Sequence, residues 1–228
     1  PGFQALTRAA NPALAEAQAS APVTVVADPA SCAFQFDPVG KTAFASACDL
    51  AKSALSNAGV SYENVVGAPG QTAVVRIGAV EVASRSAEGL APDELKAVRT
   101  EVEGRIKAAL VTAGYPEEAD PARMNLAAMF GILMIFIVAA TALYGPQAAA
   151  LVELFPTRVR YTAMSLPYNI GTGWVGGLLP AASFALVAWS GNIYFGLWYS
   201  VAFTAIAAVV ALIWLPETRG RDLDAIEG

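Results

Sequence analysis

The chain has 228 residues, 56% of them hydrophobic and 14% charged, with no histidine and a formal net charge of −5. The missing histidine removes the commonest general base and metal ligand, and the acidic balance gives no basis for a nucleic-acid partner. The charges are unevenly placed: residues 1–124 hold ten Lys/Arg and fourteen Asp/Glu, whereas 125–228 hold four and five, so a polar part precedes an apolar one.

The opening stretch, PGFQALTRAANPALAEAQAS, is not a signal peptide, because Arg8, Asn11, Pro12 and Glu16 interrupt any apolar core. No methionine precedes Met124. A chain that starts outside the membrane without an export signal is expected to be the later part of a longer one. APVTVVAD (21–28) and TAVVRIGAVEVASR (72–85) are β-branched runs with strand character, the second alternating in part. KTAFASACDLAKSALSNAG (41–59) places Phe44, Cys48, Ala51 and Leu55 at helical spacing and ends on Gly59. APDELKAVRTEVEGRIKAALVTAG (91–114) begins with Pro92 and acids and aligns Leu95, Val98, Val102, Ile106 and Leu110 on one stripe. These elements predict a small α+β domain within 1–124, tethered by YPEEADPARMN to the apolar part of the chain. The domain has no G-x-S-x-G and no metal-ligand cluster, so no catalytic group, cofactor or metal is expected in it.

Between Arg123 and Glu153 lie 29 uncharged residues, and between Arg160 and Glu217 lie 56. A helix crosses the hydrocarbon with about 20 apolar residues, so the first run makes one crossing and the second must fold back. The break is WSGNIY (189–194), where Ser190, Gly191 and Asn192 supply turn chemistry between aromatics suited to a membrane surface. Three transmembrane helices are predicted over about 125–152, 162–188 and 193–215, within a membrane part of 125–216 and succeeded by a tail, 217–228. The fold class is therefore an α-helical membrane protein carrying a small α+β domain. A soluble helical core is the competing reading, and two such runs exceed what a small core hides.

Arg158 and Arg160 lie between the first two spans and Arg219 and Arg221 after the third, while the turn at 189–192 has no basic residue. Basic loops face the cytoplasm, which places the tail inside and 1–124 outside it, with Arg123 as a minor exception. Cys32 and Cys48 fall in the external part, where a disulfide is expected to contribute about 3 kcal/mol; two buried thiols are the alternative.

Within the spans, helical rise puts Gln147 roughly 9 Å and Tyr144 roughly 13 Å in from Glu153, and Tyr168 and Asn169 about 11–12 Å in from Tyr161. Polar groups in lipid are costly, so these four are read as facing a water-filled cavity, with interhelical hydrogen bonding as the alternative. Gly145 and Pro146 would bend the first span there. Gly173 and Gly177 permit close helix packing, or serve as a pivot. No Asp, Glu, Lys, Arg or His lies inside any span, so a proton-coupling carboxylate would have to lie elsewhere. Ser165, Ser183 and Ser200 have no base beside them, so the chain is not expected to be an enzyme.

The hinge Glu153-x-Phe155-Pro156-x-Arg158-x-Arg160, with YGPQAAALVELFPTRVRYTAMSLPYNIG (144–171) and the tail LPETRGRDLDAI (215–226), resembles the C-terminal part of a major facilitator superfamily transporter. The resemblance is to the metabolite:proton symporter branch, which carries organic acids and zwitterions. It implies that the spans are helices ten to twelve and that the external part is an insertion between helices nine and ten. The implied partners are lipid, a small metabolite, protons and the missing N-terminal helices, and the implied location is the bacterial inner membrane. It further implies that Tyr144, Gln147, Tyr168 and Asn169 contribute to the substrate pathway. Physically, Pro156 ends a helix, and Glu153 can pair with Arg158, Arg160 or an arginine of the other half, a cytoplasmic gate that closes and opens as the bundle rocks. A membrane-anchored extracytoplasmic sensor is the other class considered, although one crossing would suffice for it.

Overall fold

In a computed structural model the described residues are 2–155 and 158–215. The helix end assigned to Pro156, and Arg219, Arg221 and the tail segment, lie outside them. The chain divides into two compact units, one formed by residues 1–126 with 180–198 and the other by 127–179 with 199–228.

The first unit starts with helices α1 (Gly2–Ala10) and α2 (Pro12–Ser20), neither of which was expected from the sequence. Asn11 separates them: its side chain accepts the Leu14 N–H at 3.2 Å, and Pro12 opens α2, where its missing N–H costs nothing. The strands β1 (Val23–Ala27), β2 (Glu63–Val66), β3 (Val74–Ile77) and β4 (Val80–Ala83) form one sheet in the order β2-β1-β3-β4. β1 and β2 are parallel, joined through helix α3 (Ala47–Asn57), while β1–β3 and β3–β4 are antiparallel. The run at 72–85 is thus a hairpin, because Gly78 (φ 57°) turns the chain where a side chain would be strained. β2 escaped sequence reading because its four residues, ENVV, are all exposed and carry no burial pattern.

α3 and helix α4 (Pro92–Thr112) pack on one another and against the sheet. Ser46 caps α3 by accepting the Asp49 N–H at 3.0 Å, and the Glu94 carboxylate accepts the Ala91 N–H at the start of α4 at 3.2 Å. The core is built from Val25, Val75 and Ile77 of the sheet, Leu50 and Leu55 of α3, and Val102 and Ile106 of α4, all almost fully buried. Each large aliphatic side chain so removed from water contributes about 1.5–3 kcal/mol. Tyr115, after α4, donates its hydroxyl to Ala21 O at 2.7 Å, and burial pushes its phenol pKa up.

Cys32 and Cys48 form a disulfide, with Cα atoms 5.3 Å apart. It fastens an irregular segment to α3, and Asp49 adds a second anchor: its carboxylate accepts the Ala33 N–H at 2.8 Å and its carbonyl accepts Gln35 Nε2 at 2.8 Å. Lys52, one turn along α3, is buried enough that desolvation pushes its ammonium pKa down, with Asp49 opposing the shift.

Among the described residues three helices are long and apolar enough to cross a membrane: Leu126–Leu154, Arg160–Ser190 and Leu197–Trp214, with mean hydropathy 2.6, 1.5 and 2.0. We call the first α5. The second comprises α6 (Arg160–Ile170), a π-helical turn at Gly171–Gly176 and α7 (Gly177–Ser190); the third is α8. α8 begins four residues later than the expected 193, because Asn192 takes the next N–H groups. Its Oδ1 accepts from Tyr194 at 2.9 Å and its carbonyl from Phe195 at 2.9 Å, which holds 193–196 in a turn.

Candidate functional site

α5 continues through Pro146, which has no N–H to return to Ala142 O, one turn earlier. Tyr144 and Gln147 flank that interruption and both are exposed, Tyr144 by 74%. On α6, Tyr168 is 55% exposed, and Asn169 donates Nδ2 to Ser165 O at 2.7 Å and to Ser165 Oγ at 3.1 Å. Among the described residues no hydrogen bond joins the α5 pair to the α6 pair. Asn169 therefore spends its donor on its own helix and keeps its carbonyl oxygen open as an acceptor.

The glycine-rich stretch after α6 is where helical winding changes. Pro167 and Pro180 bracket it inside the continuous helix, each removing a backbone donor, and Gly171–Gly176 winds as a π-helix between them. Tyr199 of α8 donates its hydroxyl to Val175 O of that turn at 3.0 Å and stacks on Phe203 with ring centroids 4.7 Å apart. The sequence alone does not single out Tyr199; an isolated tyrosine in an apolar run carries no sign of which carbonyl it will find. Among the described residues a Cβ added at Gly145, Gly173 or Gly177 meets nothing within 4 Å, so these glycines are not closed on other described parts of the chain. The close approach falls instead at Gly196, where an added Cβ would lie 2.7 Å from Ser183 O; the Ser183 hydroxyl donates to Gly196 O at 3.1 Å.

At the hinge, Arg160 Nε donates to Phe155 O at 3.2 Å, closing the turn between α5 and α6. Its Nη2 is buried without a hydrogen-bond partner among the described residues. Arg158 is exposed.

The first unit contains a further contact that the sequence did not announce. The turn between α7 and α8 seats against the loop leading into β2. Tyr62 donates its backbone N–H to Gly191 O at 2.7 Å and its hydroxyl to Ala188 O at 2.6 Å, and Asn64 Nδ2 donates to Trp189 O at 3.1 Å. Ser61 Oγ accepts the Ile193 N–H at 3.4 Å. Gly191 makes this fit possible: its φ is 77°, and an added Cβ would collide with Tyr62 O. Tyr62 is buried, which raises its phenol pKa and keeps it a donor throughout the physiological range. The carbonyls of Ala188, Trp189 and Gly191, left without partners by the end of α7, are satisfied by the α+β part.

Long apolar helices, charged only next to the hinge at Glu153 and Arg160 and two of them interrupted by proline, describe a multi-pass membrane protein. The profile of the sugar (and other) transporter family matches residues 106–228, and the chain belongs to that family, within the major facilitator superfamily. It is 34% identical over 101 residues to a provisionally named metabolite transport protein of Haemophilus influenzae, covering 43% of this chain and 22% of the relative. A second such protein of that organism is 37% identical over 81 residues, 34% of this chain and 17% of the relative. The glycine betaine/proline/ectoine/pipecolic acid transporter OusA of Dickeya dadantii is 32% identical over 93 residues, 41% of this chain and 18% of that protein. The matched stretches thus span 17–22% of the relatives' length. No solved structure matches the chain.

Proposed function

We propose that the chain forms the C-terminal part of a proton-coupled secondary transporter of a small organic acid or zwitterion, working by alternating access in the bacterial inner membrane. The observation that carries this reading is the family match lying over three apolar helices. A relative named for glycine betaine, proline, ectoine and pipecolic acid supports a zwitterionic cargo. In this reading α5, α6–α7 and α8 are helices ten, eleven and twelve. Residues 1–124 are extracytoplasmic, and the hinge faces the cytoplasm. The seating of the α7–α8 turn on the α+β part supports that weave: two crossings separate the start of α5 from the turn, which returns the chain to the same face. Protons pass through a carboxylate in helices outside this chain, because the interiors of these three spans carry none.

The pathway role rests on Tyr144, Gln147, Tyr168 and Asn169, exposed on helices that would otherwise put polar groups into lipid. In the complete transporter, Gln147→Ala and Asn169→Ala should each lower uptake of a radiolabelled substrate about tenfold, the loss of one hydrogen bond to cargo, with membrane insertion unchanged. Normal uptake by both variants takes the two residues out of the pathway.

The gate reading pairs Glu153 with Arg158, Arg160 or an arginine of the other half of the carrier, and Arg160 Nη2, buried with no hydrogen-bond partner among the described residues, supports it. Substituting Arg158 and Arg160 by glutamine should shift the balance between inward-open and outward-open states a few-fold, the scale of lost surface ion pairs. Unchanged labelling of a cysteine placed on the cytoplasmic side would count against the gate and leave the arginines as topology anchors.

A further inference from the structure

A groove of about 510 Å³ runs along the first unit between α1, α2, the loop into β2 and the α7–α8 turn. Its walls include Gln4 and Arg8 of α1, Gln18 of α2, Glu63 of β2, and Asn192 and Tyr194 of the turn. Arg8 and Glu63 are its two charged side chains, of opposite sign. Among the described residues neither forms an ion pair. Glu16, the acid of α2, is engaged elsewhere, held by Arg123 at 2.8 Å. Gln18 keeps its Nε2 buried with no hydrogen-bond partner among the described residues.

From these groups we infer a binding site for a small zwitterion, a molecule carrying a carboxylate and a quaternary or protonated amine. An arginine fork is matched to a carboxylate, which accepts two parallel N–H bonds. Glu63 supplies the countercharge for the cationic end, and Tyr194 adds an aromatic wall of the kind that accompanies bound ammonium groups. The amides of Gln4, Gln18 and Asn192 supply neutral donors and acceptors, and the buried Gln18 nitrogen is a donor still awaiting an oxygen. Two opposite charges that line one groove without pairing leave room between them for a ligand that bridges both. A simple anion or a simple cation would satisfy one wall and leave the other unmatched. The groove is of the size usual for small-molecule sites. It lies on the α+β part and its adjoining turn and includes none of the pathway residues Tyr144, Gln147, Tyr168 or Asn169, so it is a site additional to the transport route.

The test uses the 228-residue chain itself in lipid nanodiscs, because it carries the groove. Isothermal titration with L-proline and with glycine betaine should give saturable binding at one site per chain for at least one of them. Acetate and choline, each carrying half the charge pattern, should bind at least tenfold more weakly. Arg8→Gln and Glu63→Gln should each weaken the zwitterion at least tenfold, while Glu103→Gln, outside the groove, leaves it unchanged. Gln4→Ala, a milder change in the same wall, serves if either charge variant loses its cooperative thermal melt. No saturable heat with either zwitterion, or equal affinity in wild type and both charge variants, overturns the inference. Because uptake by the complete transporter is measured separately, failure here leaves the carrier reading standing, and failure of uptake leaves this site standing.

Discussion

Replacing Gly191 by valine is expected to detach the α7–α8 turn from the α+β part, at a cost of about 3–4 kcal/mol to that contact. The estimate combines a left-handed backbone forced on a β-branched residue, roughly 1–2 kcal/mol, with two hydrogen bonds of about 1 kcal/mol each. The structural cause is specific. The Tyr62 carbonyl occupies the space a Cβ would need, Tyr62 Cδ2 lies 2.9 Å from that position, and Gly191 is held at a φ of 77°. Hydrogen exchange at the Tyr62 amide, which is bonded to Gly191 O at 2.7 Å, is the direct readout and should quicken by about 30-fold or more. Gly104→Ala on α4 is the control: its Cβ meets nothing within 4 Å, and it should leave the Tyr62 amide as protected as before. Wild-type exchange at Tyr62 in the Gly191 variant would mean that the turn is not held in this way.

Removing the disulfide should weaken the α+β part by about 3 kcal/mol, the chain-entropy value for a loop of this length. Cys32 and Cys48 are 16 residues apart, and the segment they close is mostly exposed irregular chain with Asp49 and the Ala87–Ala45 backbone bond as its other ties. Cys32→Ser with Cys48→Ala should lower the melting temperature of this part by on the order of 10–15 °C, and reductant added to the wild type should reproduce the shift. Cys48 is fully buried, so the variant also loses packing and should fall slightly further than the reduced wild type. A melt insensitive to both treatments would assign the stability to the core alone.

How much of the molecule is legible in its sequence depends on the solvent each segment meets. The spans are readable because lipid forbids unpaired charge over a long run: 29 and 56 uncharged residues leave few other outcomes, and the helices found differ from the expected bounds by a few residues at their ends. α3 and α4 are readable from apolar spacing and from caps. The hairpin at 74–83 is only half readable, since its β-branched run is continuous in composition and only Gly78 divides it. β2 is too short and too exposed to leave a pattern, and α1 and α2 are hidden by Asn11 and Pro12, which read as interruption and act as a cap between helices. Among the candidate site residues, the polar positions on α5 and α6 are named from depth and from the family resemblance. Which atoms Asn169 satisfies by itself, and that Arg160 closes the hinge onto Phe155 O, required coordinates.

The sequence by itself determined that the chain has a polar α+β part and three lipid-suited helices, because those properties arise from local composition and from the cost of placing charge in hydrocarbon. Only the tertiary structure decided that β2 joins β1 in parallel, that Gly196 rather than Gly173 or Gly177 takes the close approach, and that Tyr62 meets a turn 126 residues further along. Such pairings bring together groups far apart in sequence, and their energy lies in complementary shape and unfilled carbonyls, which no single segment displays.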